Sequence, residues 1–285
     1  VITFPNAKIN IGLFITDKRH DGYHNIESIF YPIKITDVLE AGFFDFNSPL
    51  LQISGIEIDG NTDSNLVSKA VHLIENYLKN NSKTDKLTTL KSIRFYLHKT
   101  IPTGAGLGGG SADGTFALKI INDLLELNLN NSILENMALQ LGSDCPFFIQ
   151  NTPSLVKGRG EILENFELDL REYQLVLVHP GIHISTSIAY SGVSPKKVDF
   201  DWNKINVNNI SDWQNILSND FEKNVFIQYP EIEKIKNSFY KHNAVYAQMS
   251  GSGSAVYGIF KNETKLESLQ EEIKNYPYST FLCAL

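Results

Sequence analysis

The residues that most constrain the chemistry lie at positions 101–112, IPTGAGLGGGSA. Gly104, Gly106, Gly108, Gly109 and Gly110 crowd into this stretch, more than turn formation needs. Closely spaced glycines let the backbone approach a ligand and aim several N–H groups at one point. A helical pattern begins directly after them, so the positive end of its dipole adds to the same anion site. The fitting ligand is a polyphosphate; the plainer reading is a flexible surface loop. Gly104, Gly106 and Gly109 satisfy GxGxxG, but the dinucleotide fingerprint needs a βαβ unit with an acidic residue ending the next strand. Here a second helix with its own capping signal follows. A P-loop is excluded as well, because no lysine follows the glycines.

A second set opens the chain. FPNAKINIGLFIT, residues 4–16, reads as a strand with Ile9, Ile11, Leu13 and Ile15 on one face. Lys8, Asn10, Gly12 and Phe14 share the other. That face suits a solvent-exposed sheet edge, where lysine discourages edge pairing. It also suits a polar ligand, with Gly12 leaving room for it. Asp144 stands after Gly142 in a loop before Pro146-Phe147-Phe148, and by position alone is a turn former.

The elements that must hold these residues read as α+β, because strands and helices mix without regular βαβ alternation. The opening strand turns at DKRHDGYHNIES, with Asp21-Gly22 at its centre, into a strand over IFYPIKITDVLEA. Helical spacing covers 64–78 through Leu66, Ala70, Leu73, Ile74 and Tyr77. LKSIRFYLHKTIP alternates, with Ile93, Phe95 and Leu97 on one side, and leads into the glycines. A helix is expected over 111–127, and Ser132 with Glu135 has capping-box spacing for another that stops at Gly142. YQLVLVHPG is an apolar strand, 191–212 a polar loop with short helical pieces, and NAVYAQMSGSGSAVYGIF a strand–loop–strand. A last helical pattern runs over 266–273. QNTPS interrupts the patterning near 151–155, which divides the chain into domains at 1–153 and 154–285.

Composition narrows the function classes. With 285 residues and 42% hydrophobic content the chain can build one large or two moderate domains. Its 25 basic and 32 acidic residues argue against a nucleic-acid partner, which a basic patch would announce. No run is long enough for a membrane span. Cys145 and Cys283 lack metal or redox spacing and read as small buried hydrophobes. The first residues already read as strand, so no targeting segment is expected and a bacterial cytoplasmic location is.

The motifs resemble the GHMP kinases, the superfamily of galactokinase, homoserine kinase and mevalonate kinase. Its central block, a proline followed by glycines and a serine, is here PTGAGLGGGSA. Within it the resemblance is to the branch acting on a cytidine diphosphate derivative of methylerythritol, in the non-mevalonate isoprenoid pathway. Pro5-Asn6-Ala7-Lys8-Ile9-Asn10 with Asp21-Gly22-Tyr23-His24, then LGSDCPFF at 141–148 and MSGSGSAVYG at 249–258, complete four blocks in order. Asn6 is inserted relative to the family block. Ala105 stands where the family usually has glycine; its methyl narrows backbone freedom but removes no N–H. Arg159 falls where related enzymes carry a smaller apolar residue and takes no role in the scheme.

The resemblance implies a two-domain GHMP kinase fold, with an N-terminal ribosomal-protein-S5-domain-2-like α/β domain and a C-terminal ferredoxin-like α/β domain. It implies transfer of the γ-phosphoryl of ATP, with Mg²⁺, to a hydroxyl of the methylerythritol part. Asp144 matches the family's general base. Lys8 matches the lysine that keeps it ionised and offsets charge on the moving phosphoryl, a role that requires partial burial. Pro102, Thr103, Gly104, Ala105, Gly106, Leu107, Gly108, Gly109, Gly110, Ser111 and Ala112 would hold the ATP, Ser111 reaching a phosphate oxygen or Mg²⁺. No carboxylate cluster marks a metal ligand set. Tyr23 would stack on the cytosine, His24 bond its edge, and Tyr190 supply the second aromatic; the plainer role of either tyrosine is packing. Asn10, Lys99 and Thr186 would contact diphosphate and sugar, and the Ser250–Ser254 loop, with Gly251, Ser252 and Gly253, would close over substrate or phosphates. The partner is then a small molecule, not nucleic acid or membrane, and the protein a monomer or weak homodimer. Two rivals remain: another GHMP kinase, disfavoured by DGYH, and a non-catalytic GHMP-fold binding protein, disfavoured by Lys8 with Asp144.

Overall fold

The computed structural model describes residues 1–45, 47–58 and 60–283, without the side chains at 186, 279 and 281–283. The chain forms two compact units. The first gathers residues 1–7, 35–103 and 108–152; the second gathers 8–34, 104–107 and the remainder from Pro153.

In the first unit, strands β1 (Ile2–Thr3), β4 (Val38–Phe43), β5 (Leu51–Gly55) and β6 (Ile93–Lys99) form a sheet in the order β1-β4-β6-β5. Strand β4 runs antiparallel to β6 and β5 parallel to it, so that Ala41 and Leu51 both flank Phe95. Helices α1 (Leu66–Asn80), α2 (Lys86–Ser92), α3 (Gly109–Leu124), α4 (Asn131–Leu141) and α5 (Phe147–Gln150) complete the unit. Asn65 caps α1 by accepting the Val67 N–H at 2.9 Å, and Val67, Ala70, Val71, Ile74 and Leu78 give that helix its buried stripe. The stripe joins Phe95, Leu118 and Ile121 in one core.

Three local expectations change. The strand read through IFYPIKITDVLEA is broken at Asp37, whose carboxylate accepts the N–H groups of Thr100 at 2.6 Å and Ile101 at 2.9 Å. Helix α3 starts at Gly109, inside the glycine run. The cap of α4 is Asn130, which accepts the Ile133 N–H at 3.0 Å, rather than Ser132.

In the second unit, β2 (Asn6–Lys18) and β3 (His24–Thr36), whose outer ends belong to the first unit, join β7 (Ser154–Lys157) and β8 (Ile162–Asn165) in the order β2-β3-β7-β8. A second, antiparallel sheet has the order β10-β11-β9-β12, from β9 (Tyr173–His179), β10 (Tyr246–Met249), β11 (Val256–Lys261) and β12 (Tyr278–Cys283). Helices α6 (Thr186–Ser191), α7 (Trp213–Ile216), α8 (Glu222–Gln228), α9 (Pro230–Lys241) and α10 (Glu267–Ile273) belong here. Helix α9 opens on Pro230 with Glu231 and Glu233 in its first turn, a pairing of fixed φ and favourable dipole charge. Val176, Val178, Phe239, Met249 and Phe260 centre the core. Among the described residues no helix is long and apolar enough to cross a membrane.

Candidate active site

Strand β2 is buried on both faces from Ala7 to Phe14, because its polar face meets protein instead of water. Lys8 is only 3% exposed and Asn10 only 1%. The solvent-edge reading of Lys8 therefore fails. The Lys8 ammonium donates to Asn10 Oδ1 at 2.6 Å and to the Gly106 carbonyl at 3.1 Å, and lies 4.4 Å from the Phe30 ring centroid. Asn10 can present only its carbonyl to Lys8, since its amide donates to Ser28 Oγ at 2.9 Å. Ser28 in turn donates to the Gly12 carbonyl at 2.6 Å, and the Tyr257 hydroxyl to the Asn10 carbonyl at 2.7 Å. Asn10 and Ser28 are thus each oriented by further hydrogen bonds. Gly12 does not leave room for a ligand: a side chain there would meet Leu217 Cδ2 at 2.9 Å.

The same unit folds the loop 104–107 against the segment between β10 and β11. The Lys8 N–H donates to the Leu107 carbonyl at 2.9 Å, and the Ser250 hydroxyl to the Gly106 carbonyl at 2.9 Å. Gly106, at φ +78°, has no room for a side chain: a Cβ there would stand 1.9 Å from the Ser250 carbonyl oxygen. Ala105 lies outside the left-handed region, and its carbonyl accepts the Ala255 N–H at 3.2 Å, so the methyl is housed without strain. Asn219 donates to the carbonyls of Met249 and Gly251, each at 2.8 Å, and fixes the entry to Gly251-Ser252-Gly253. Ser28 and Asn219 were not singled out by sequence and carried no signal there, whereas Ser250 was read as one end of the loop closing over substrate or phosphates.

In the first unit, Gly108 at φ +71° leads into α3, and no side chain caps the helix. A side chain at exposed Gly110, in the first turn, would meet open space. Half-buried Asp144 follows Gly142 in the turn before α5. Its neighbour Cys145 is buried, which pushes the thiol up to about 12 and leaves it inert. Thr115 of α3 donates to the Cys145 carbonyl at 2.9 Å. The turn carrying Asp144 is thereby fastened to the start of α3.

Lys99 takes a different place from the one expected. It is 2% exposed, and its ammonium pairs with Asp37 and, at 2.7 Å, with Asp113. Burial raises Asp113 to about 7, opposed by Lys99 and reinforced by Asp37. The cluster joins the end of β6 to the first turns of α3 and brackets the loop between them.

Tyr23 is exposed at the β2–β3 turn, with the Arg159 guanidinium 4.8 Å from its ring centroid. His24 and Tyr190 lie face to face, 4.6 Å between centroids at 19°, and Phe221 meets Tyr190 edge-on. Burial lowers the His24 pKa, as does Lys18. Tyr190 is thus brought to His24. Thr186 opens α6, and its side chain lies outside the described residues, as does that of Cys283.

Residues 65–152 match the GHMP kinases N terminal domain, and residues 204–279 the GHMP kinases C terminal family. A Bacteroides fragilis protein named 4-diphosphocytidyl-2-C-methyl-D-erythritol kinase is 46% identical over 274 residues, covering 95% of this chain and 96% of that protein. The chain belongs to the 4-diphosphocytidyl-2-C-methyl-D-erythritol kinase branch of the GHMP kinases. A Cytophaga hutchinsonii kinase of this branch is 42% identical, covering 96% of this chain and 97% of its own length. A crystal structure titled 4-(cytidine 5'-diphospho)-2C-methyl-D-erythritol kinase superposes with a TM-score of 0.77 at 26% identity, covering 99% and 98% of the two chains. The mevalonate kinase of Methanococcus jannaschii, at 13% identity and a TM-score of 0.67, shares the fold. Membership makes the chain an ATP-dependent phosphotransferase with the mixed GHMP fold.

Proposed function

We propose that the protein transfers the γ-phosphoryl of ATP to the 2-hydroxyl of 4-diphosphocytidyl-2-C-methyl-D-erythritol, a step of non-mevalonate isoprenoid precursor synthesis. The observation that carries this reading is the buried Lys8 ammonium, bonded to the carbonyl of a glycine loop suited to a triphosphate. A buried ammonium beside such a loop is a strong local source of positive potential. The names of the relatives supply the acceptor.

The 104–111 backbone and the first turn of α3 cradle the triphosphate. Asp144 takes the proton of the acceptor hydroxyl as its oxygen attacks the γ-phosphorus and ADP departs. Lys8 keeps the carboxylate ionised and offsets charge on the phosphoryl oxygens. A bound Mg²⁺ would supply neutralisation of phosphate charge. Such an ion needs only one or two protein oxygens besides phosphates and waters, and the Ser111 hydroxyl is chemically suited to that. Tyr23, His24 and Tyr190 recognise the cytidine, Thr186 the diphosphate and sugar, and the 251–253 loop closes over the substrate, while Asn10 orients the Lys8 ammonium. The buried pairing of Lys99 leaves it the role of holding the loop. Residues 1–153 act as the nucleotide half and 154–285 as the substrate half, in a cytoplasmic monomer or weak homodimer.

A panel of acceptors tests the assignment. With ATP and Mg²⁺, the cytidyl compound should yield a new phosphomonoester by phosphorus NMR, and homoserine and mevalonate none. Phosphorylation of either of those in place of the cytidyl compound would refute it.

A further inference from the structure

The scheme above leaves one imidazole at the glycine loop without a task. His183 is exposed in the segment joining β9 to α6. Its ring fills the space that a side chain at Gly104 would need: a Cβ there would stand 2.9 Å from both Cε1 and Nδ1 of His183. The residues on either side are pinned. The Ser254 hydroxyl donates to the Ile182 carbonyl, and the buried Ile184 side chain packs where a Cβ at Gly253 would be 3.3 Å away. The backbone at 182–184 therefore runs between the 104–107 loop and the 251–254 loop, all within the second unit. Among the described residues nothing hydrogen-bonds the ring nitrogens of His183. An exposed side chain on an anchored backbone, in contact with a loop built to expose N–H groups, is pre-organised for a ligand rather than for packing.

We propose that His183 is a further phosphate-contacting residue of this site, its imidazole N–H donating to an anionic oxygen held beside Gly104. The inference rests on reading the glycine loop as a phosphate site. The anion is a phosphate oxygen of either the nucleotide triphosphate or the acceptor's diphosphate, and Gly104's place in the glycine loop favours the first. A lost hydrogen bond to a charged oxygen weakens binding about tenfold or more.

Two inhibitors separate the sources: tripolyphosphate for the nucleotide, CDP for the acceptor. In His183→Ala the inhibition constant of tripolyphosphate should rise about tenfold while that of CDP stays within about twofold. A rise confined to CDP assigns the contact to the diphosphate instead. His183→Gln, which keeps an N–H donor of similar reach, should recover part of the affinity, whereas a packing role would not separate it from alanine. Should the alanine variant unfold, His183→Phe keeps the ring bulk without a donor and must show the same loss. Unchanged constants for both inhibitors, or a fall in kcat alone, overturn the proposal. A wild-type protein that binds tripolyphosphate yet phosphorylates no acceptor would defeat the substrate assignment without touching this inference.

Discussion

Lys8 carries more of the chemistry than its place on a strand suggests. A lysine at an edge is screened by water, whereas this one is enclosed by Asn10, the Gly106 carbonyl and the Phe30 ring. Lys8→Met should lower kcat on the order of 10²–10⁴-fold, with a smaller change in the acceptor KM, measured by steady-state kinetics. Equal kcat in the variant would return the lysine to a structural role. Asn10→Leu should be nearly as harmful. It removes the carbonyl that orients the ammonium and leaves the Ser28 hydroxyl without its amide donor, so kcat and thermal stability should fall together.

At the scale of elements, the two ends of the glycine loop are set by contacts that backbone geometry enforces. Gly106→Ala drives a methyl into the Ser250 carbonyl and demands a left-handed backbone of alanine. Nucleotide affinity should drop at least about tenfold, with a loss of stability of about 1–3 kcal/mol, read by ATP titration and by denaturant unfolding. At the other end, the Lys99 cluster makes stability depend on pH. The Asp113 pKa is raised above its unfolded value of 3.8, so its stabilising contribution is full below about pH 3.8 and is lost as pH rises through about 7. The unfolding free energy should decline by up to ~1.4 kcal/mol per pH unit within that window, and Asp113→Asn should flatten the decline. A wild-type stability that rises across pH 5–7, with the same slope in the variant, would contradict this. The cluster also shows what sequence can and cannot convey. Lys99 was read from the sequence as a ligand contact because its partners were not legible there: Asp37 and Asp113 lie 62 and 14 residues away. The same limit hid Ser28, Asn219 and His183, whose roles arise from contacts across long stretches of chain.

Across the whole molecule, local chemistry announced the site and tertiary packing supplied its support. The glycine run, the capped helices, the β9 strand and the β10–β11 turn follow from composition and periodicity. Strands β7 and β12 do not, their partners β3 and β9 lying far along the chain, nor does the short β8 that pairs with β7. Most of the site residues could be named because four motifs recur in one order, and two of those motifs hold Lys8 and Asp144. Their roles stand or fall on turnover. A coupled ADP-release assay with the cytidyl acceptor, on wild type and on Asp144→Asn, measures this most directly. The account predicts ADP production that requires the acceptor and falls on the order of 10²–10⁴-fold in the variant, with acceptor affinity retained. No acceptor-dependent ADP from the wild type, or undiminished turnover in Asp144→Asn, would contradict it.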